Sequence, residues 1–351
     1  MLVIFSTNSK MLESNEKRVL VAFSGGIDSC AAVEILREEG YNVEALTIDM
    51  LGNEELMSQA RRSAQRLGVT LHTTDAKEIF KREIIDNFVA EYMEGRTPAP
   101  CTLCNTKIKW ELLTQKADEL GIYNIATGHY FSIVEHDGKL YIARAEDQQK
   151  DQSYYLWGVG QEILKRALTP MATRIKSVIK QASVLKKESM GICFLRGNHY
   201  TDFLCSECGM ELPEGDIVDN KGNKIARHNG IARYTIGQKR GEGIPEGKRV
   251  VEINSDTNEI VVDDNKTLFT TQLDIENICC ANKTELEKAT ELKVMVRGLG
   301  LNPEGYAQIN FTSETTATIR LENNAWAIAP GQPIALYIGN RIVGGGYQTI
   351  K

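Results

Sequence analysis

The segment Ser24-Gly25-Gly26-Ile27-Asp28-Ser29 sets two glycines between hydroxyl side chains, directly after the apolar run RVLVAF (18–23). Glycines leave backbone N–H groups unobstructed. Where such a turn opens a helix, the positive helix end joins them in an anion seat. Ser24 and Ser29 add hydroxyl donors. Asp28 is an unusual neighbour for an anion unless it holds a cation or orients the loop. The segment is not a Walker A loop, because no Lys-Ser or Lys-Thr follows the glycines, and it is not G-x-G-x-x-G. An ordinary glycine turn is the plain alternative.

The second set of chemical residues is the cysteines. Cys101 and Cys104 lie in TPAPCTLCNTKIKW, which reads as a proline-rich loop entering a helix. A helix N-terminus favours the thiolate, and Lys107 and Lys109 make the surroundings of Cys104 electropositive. Cys193 lies in MGICFLRG, after Lys186-Lys187. Two activated thiols suit sulfur transfer: one carries a persulfide, and the other helps to release the sulfur by forming a disulfide. Three alternatives stay open. The thiols can be small buried hydrophobes, Cys101 and Cys104 can be half of a zinc site, or with Cys193 they can hold an iron–sulfur cluster. Cys205, Cys208, Cys279 and Cys280 offer a four-cysteine zinc reading that the vicinal pair fits poorly. Cys30 reads as core.

The elements that must position these residues alternate. RVLVAF reads as a buried strand, AAVEILREEG as a helix stopped by Gly40, and VEALTID as a second strand. A helix closed by Gly68, the strand VTLHTTDA, a long helix ending at Gly95, the helix KIKWELLTQKADELG and the strand YNIA continue the pattern. Alternation of this kind predicts an α/β, Rossmann-like, doubly wound parallel sheet. After Gly209 short β-rich runs alternate with Asn, Gly and Pro turns. The stretch from about 270 onward suits a small antiparallel β-barrel. The expected domains are 18–208, a β-rich central domain 209–268 and a barrel 269–351.

At 351 residues the chain is longer than one ordinary core requires. Its 42% hydrophobic and 25% charged residues are those of a globular protein. A net charge of -6 excludes nucleic-acid coating by bulk positive charge but leaves room for a local basic face. No run approaches the length of a membrane span, and MLVIFSTNSK lacks the marks of a signal peptide. No membrane contact and a cytoplasmic location are expected. Eight cysteines then point to catalysis, metal or core rather than disulfide scaffolding.

SGGIDS is similar to the PP-loop of the N-type ATP pyrophosphatases, which split ATP between its α and β phosphates. The whole chain resembles the bacterial tRNA-specific 2-thiouridylases (MnmA or TrmU family). VAFSGGIDS, AEYMEGRTPAPCTLCNTKIKW, IATGHY, KDQSYYLW, MGICF, YTIGQKRG and APGQPIALY stand in that family's order. The resemblance implies ATP-dependent 2-thiolation of the wobble uridine of tRNA, through adenylation of its C2 oxygen. ATP with Mg2+, a tRNA substrate, and a sulfur-carrier or cysteine-desulfurase relay protein are implied with it. Cys193 would carry the persulfide and Cys104 would be the nucleophile. ATP contacts would fall on Ala22, Phe23, Ser24, Gly25, Gly26, Ile27, Asp28, Ser29, Ile48 and Gly128. The target-base loop would fall on Ala99, Pro100 and Cys101. Contacts with tRNA would fall on His129, Lys150, Asp151, Gln152, Arg297, Gly298 and Gln332. Many family members carry Asp at the place of Cys101. The substitution creates a pattern, Cys101, Cys104 and Cys193, that in related thiolases can hold a [4Fe-4S] cluster. The segment after Asp49 is shorter than the family's, and Gly298 stands where an aromatic often follows the Arg.

Overall fold

The computed structural model describes residues 17–182, 191–298 and 300–349. Lys186 and Lys187 lie outside them. Two compact units result: one holds the chain up to Glu83 and the stretch from Leu103, the other Ile84–Thr102 and the chain from Gly191.

The first unit is built on β1 (Arg18–Ala22), whose Val19, Leu20 and Val21 are fully buried. A strand with no exposed face belongs in the middle of a parallel sheet covered on both sides. α1 (Ile27–Glu38), β2 (Asn42–Asp49), α2 (Glu54–Leu67) and β3 (Thr70–Asp75) follow. The Asn53 side chain caps α2 by accepting from the Glu55 and Leu56 N–H groups, and Gly68 ends it at φ 62°. α3 (Lys77–Phe80) runs through a π turn, Lys81–Ile85, into α4 (Asp86–Met93), which belongs to the second unit. The chain returns to the first unit within α5 (Pro100–Cys104), which runs through a second π turn, Asn105–Lys109, into α6 (Trp110–Glu119). β4 (Asn124–Thr127), the hairpin β5 (Ser132–His136) and β6 (Lys139–Ala143), the short β7 (Ala167–Leu168) and α7 (Lys176–Ala182) complete this unit. The sheet is parallel, in the order β3-β2-β1-β4-β7. Strand order reverses between β1 and β4, which is where doubly wound sheets bind ligands.

One local expectation is corrected. The loop read over TPAPCTLCN ends at Ala99, and helix begins at Pro100. Proline is favoured at the first helical position, because its missing N–H would have had no partner there. Cys101 and Cys104 are therefore helical rather than in a loop ahead of the helix.

The second unit holds two β structures. β8 (Gly215–Val218), β9 (Lys224–His228), β10 (Arg249–Asn254) and β11 (Glu259–Asp263) form a sheet in the order β10-β11-β8-β9, packed on Ile231 and Tyr234. β12 (Phe269–Cys280), β13 (Leu292–Met295), β14 (Ala307–Phe311), β15 (Ala317–Trp326), β16 (Pro333–Ile338) and β17 (Arg341–Gln348) follow the order β12-β15-β14-β13-β16-β17. β12 also pairs with β17, which closes a six-stranded antiparallel barrel. Gly344 and Gly346 permit that closure: a Cβ there would stand 3.0 and 2.8 Å from the Cys279 and Glu276 carbonyl oxygens of β12.

Candidate functional site

The loop 24–29 joins β1 to α1 at the carboxyl edge of the parallel sheet. The Phe23 N–H donates to the Leu46 carbonyl, and Thr47 Oγ1 donates to the Phe23 carbonyl at 2.7 Å, so the end of β2 fixes where β1 releases the chain. Ile48 is the next residue of β2. Gly25 adopts φ 71°, and a Cβ there would stand 2.7 Å from Ala60 Cα, so only glycine lets the loop lie against α2. Ser63 Oγ secures it by donating to the Gly25 carbonyl at 3.0 Å. From the other side Gly128, just past β4, backs onto the loop: its Cβ would stand 2.9 Å from Asp28 C and from Ser29 N.

Gly26 precedes α1 and no side chain caps that helix. Ser24 Oγ accepts from the Gly26 N–H at 3.3 Å and lies 3.3 Å from Ser29 Oγ. The seat thus has an uncapped twelve-residue helix end, two hydroxyls and two glycine contacts that hold its shape. Backbone donors at a helix N-terminus favour anions, and a phosphate chain suits them.

Asp28 faces a cation, but a protein one. Its Oδ1 forms an ion pair with Lys176 Nζ and accepts from Tyr130 OH at 3.1 Å. Lys176 is buried, 7% exposed at the side chain, and stands 5.9 Å from the centre of the Tyr130 ring. Sequence reasoning missed Lys176. It lies 148 residues from Asp28, at the start of α7, a helix that no pattern in the sequence predicted.

Tyr130 links the loop to another predicted segment. Its N–H donates to Gln152 Oε1 at 3.1 Å, and the Gln152 N–H donates to the Tyr130 carbonyl at 2.8 Å. Asp151 braces the same turn by accepting from Ala145 N at 2.9 Å and from Ser153 Oγ at 2.6 Å. Lys150 is half-buried, its N–H donating to Asp147 O at 3.0 Å. His129 Nδ1 lies 3.0 Å from Thr127 Oγ1. Burial, with Lys109 nearby as the lesser cause, pushes the His129 imidazole down to about 3, so the ring is neutral at physiological pH. The structure therefore joins Asp28, Gly128, His129, Asp151 and Gln152 in one unit.

The cysteines differ in setting. Cys104 is buried and Cys101 is half-buried; Cys193 is exposed. The neighbouring Asn105 is also buried, and its amide donates to the Tyr155 carbonyl at 3.2 Å. Cys193 sits on a firm base, because the next residue, Phe194, packs at 5.0 Å from both Phe88 and Phe203. Cys104 belongs to the first unit, Cys101 and Cys193 to the second. Among the described residues no group of three or more His, Cys, Asp or Glu side chains is arranged to hold a metal. The zinc reading of Cys205, Cys208, Cys279 and Cys280 therefore finds no counterpart, and the iron–sulfur reading gains no support. Cys30 lies in the core.

The remaining predicted residues lie in the second unit. Arg297 donates to the carbonyls of Trp326 (3.1 Å), Ala327 (2.7 Å) and Leu301 (3.3 Å) and lies over the Trp326 ring. Gly298 beside it is half-buried. Gln332 Nε2 donates to Val296 O, and its Oε1 accepts from Ala329 N at 3.2 Å. The Thr97 N–H donates to Pro330 O at 2.8 Å, and a Cβ on Gly331 would stand 2.7 Å from Glu91 Oε2. The segment leading to Ala99, Pro100 and Cys101 is thus tied to the barrel turn that carries Gln332.

Three family models match successive stretches of the chain. The family model described as tRNA methyl transferase HUP domain matches residues 17–197. The tRNA methyl transferase PRC-barrel domain matches 201–264, and the aminomethyltransferase beta-barrel domain matches 270–347. A tRNA-specific 2-thiouridylase MnmA 1 of Bacteroides fragilis is 40% identical over 97% of this chain and 99% of its own length. The MnmA 3 protein of Phocaeicola vulgatus is 37% identical over 96% and 95%. That of Clostridium acetobutylicum, named MnmA, is 34% identical over 94% and 99%. A solved structure described as a predicted subunit of tRNA methyltransferase from Methanocaldococcus jannaschii is 20% identical over 47% of this chain and 72% of that one, with a TM-score of 0.31.

Proposed function

The chain belongs to the tRNA-specific 2-thiouridylase family, and from that premise we propose how its residues carry out an ATP-dependent sulfur transfer to the wobble uridine. The enzyme is a tRNA sulfurtransferase. The observation that carries the nucleotide half of the reading is the phosphate seat: an uncapped helix end whose loop is held by glycine contacts at Gly25 and Gly128.

In the proposed reaction the C2 oxygen of the uridine attacks the α phosphorus of ATP, and pyrophosphate leaves. Ala22 to Ser29, Ile48 and Gly128 hold the nucleotide, and backbone N–H donors face its phosphates. Mg2+ bound with the triphosphate would spread its charge; Asp28 Oδ1 is already held by Lys176 and Tyr130. The outer sulfur of a persulfide on Cys193 then bonds to C2. The Cys104 thiolate attacks Cys193 Sγ and breaks the S–S bond, whose electron pair stays with the departing sulfur. AMP leaves with the original oxygen, C2 becomes a thiocarbonyl, and the Cys104–Cys193 disulfide awaits reduction by an external thiol.

The exposure of Cys193 on its aromatic base supports its role as the carrier that a sulfur-relay protein loads. Ala99, Pro100 and Cys101 border the target base. His129, Lys150, Asp151, Gln152, Arg297, Gly298 and Gln332 face the tRNA, several of them by shaping the contacting turn. The uridine must leave its stack to be modified. The domain division 18–208, 209–268 and 269–351 and a cytoplasmic location belong to the same proposal. Among the described residues, no helix is long and apolar enough to cross a membrane. Nucleoside mass spectrometry of tRNA from cells with and without this chain tests the reading. Wobble 2-thiouridine that persists unchanged without the chain, in cells holding no second copy, contradicts it.

A further inference from the structure

A carboxylate in the first turn of α1 is well placed for the helix dipole but badly placed for a phosphate ligand. Asp28 is that carboxylate, and its side chain is 37% exposed. A triphosphate seated against Ser24, Gly26 and Ser29 would meet a like charge unless something neutralises Asp28 and fixes its direction. Lys176 does both. A lysine with a side chain only 7% exposed is rare without a partner, and this one meets Asp28 Oδ1.

Three further contacts fix the arrangement. Tyr130 OH donates to the same Oδ1 at 3.1 Å, so two donors converge on one oxygen. The Tyr130 ring stands 5.9 Å from the Lys176 ammonium. The Lys176 N–H donates to Asp147 Oδ2 at 2.9 Å, which anchors the start of α7. The backbone of Tyr130 is in turn clasped by Gln152, so the direction of Asp28 depends on two segments outside the loop.

We propose that Lys176 is a positioning residue for nucleotide binding: with Tyr130 it neutralises Asp28 and holds its carboxylate off the phosphate seat. The inference rests on the reading of loop 24–29 as the ATP site. It differs from a direct contact between Lys176 and phosphate, because the role given to Lys176 exists only while Asp28 carries a charge.

A double-mutant cycle on the full chain separates the two. ATP affinity is measured by calorimetry for the wild type, Lys176→Gln, Asp28→Asn and the double variant. Folding is checked by thermal melting. Lys176→Gln is expected to weaken ATP at least tenfold in the wild-type background and less than threefold in the Asp28→Asn background. Equal losses in both backgrounds overturn the proposal, as a lysine bound directly to phosphate would produce. No loss in the wild-type background overturns it too. If Lys176→Gln does not fold, Tyr130→Phe runs the same cycle, with a smaller loss expected that again vanishes in the Asp28→Asn background. ATP binding by the wild type but no coupling sinks this inference alone; no ATP binding by the wild type sinks the ATP-site reading with it.

Discussion

Replacing Gly128 with Ala should damage nucleotide handling while leaving the fold in place. The added Cβ would lie 2.9 Å from Asp28 C and Ser29 N and 3.1 Å from Asp28 O, where ordinary contact begins at 3.4 Å. The deficit is about 0.5 Å, and the atoms opposite are backbone with no rotamer to turn away. Either β4 or the start of α1 must move. Overpacking of this kind costs about 1–3 kcal/mol of stability, which a unit with so large a core can bear. On the proposed function the catalytic cost is greater, because the displaced atoms belong to the loop assigned to phosphate. A misplacement of this order lowers kcat/KM for ATP by about 10- to 100-fold. Pyrophosphate release at varied ATP, read beside thermal melting, gives both numbers. A folded Gly128→Ala enzyme with wild-type kcat/KM for ATP would refute the claim that this contact shapes the seat.

Cys193→Ser and Cys104→Ser should each lower thiolation by about 100-fold or more, as loss of a nucleophile does, while pyrophosphate release in the presence of tRNA stays within a few-fold; equal loss of both products would contradict the separation of adenylation from sulfur transfer. Arg297→Lys removes a planar fork that donates to three carbonyls, so urea unfolding should show a loss of about 2 kcal/mol; no change in midpoint would assign Arg297 to tRNA alone. The neutral His129 gives an acid dependence. Its folded pKa of about 3 lies below the ordinary value of 6.5, so the unfolded chain binds the extra proton first. Stability that depends on the neutral ring is present above pH 6.5 and is lost as pH falls toward 3. His129→Gln should flatten the melting profile over that range; parallel profiles would show that the ring does not titrate on unfolding.

The glycine turn at 24–29 was legible as a strand-to-helix junction because its signal is local. An apolar run, two glycines and a helical pattern stand side by side, and the sheet order places them at the β1/β4 edge. The barrel was legible in the same way, through short runs and turn residues. The partner of Asp28 was not: an ion pair spanning 148 residues leaves no periodic trace. Pro100 misled because proline marks both loops and helix starts, and only the backbone of Thr102, donating to Ala99 O at 3.1 Å, shows which applies. The resemblance implied tRNA contacts for Arg297 and Gln332; that their donors also reach backbone carbonyls of the barrel is something no composition or spacing reveals.

The most direct measurement combines purified chain, ATP with Mg2+, a persulfide donor and unmodified tRNA, and counts pyrophosphate against 2-thiouridine. Adenylation followed by sulfur transfer predicts one pyrophosphate for each 2-thiouridine formed, with both absent when tRNA is omitted. Thiolated tRNA without pyrophosphate, or neither product with an active donor, would contradict it.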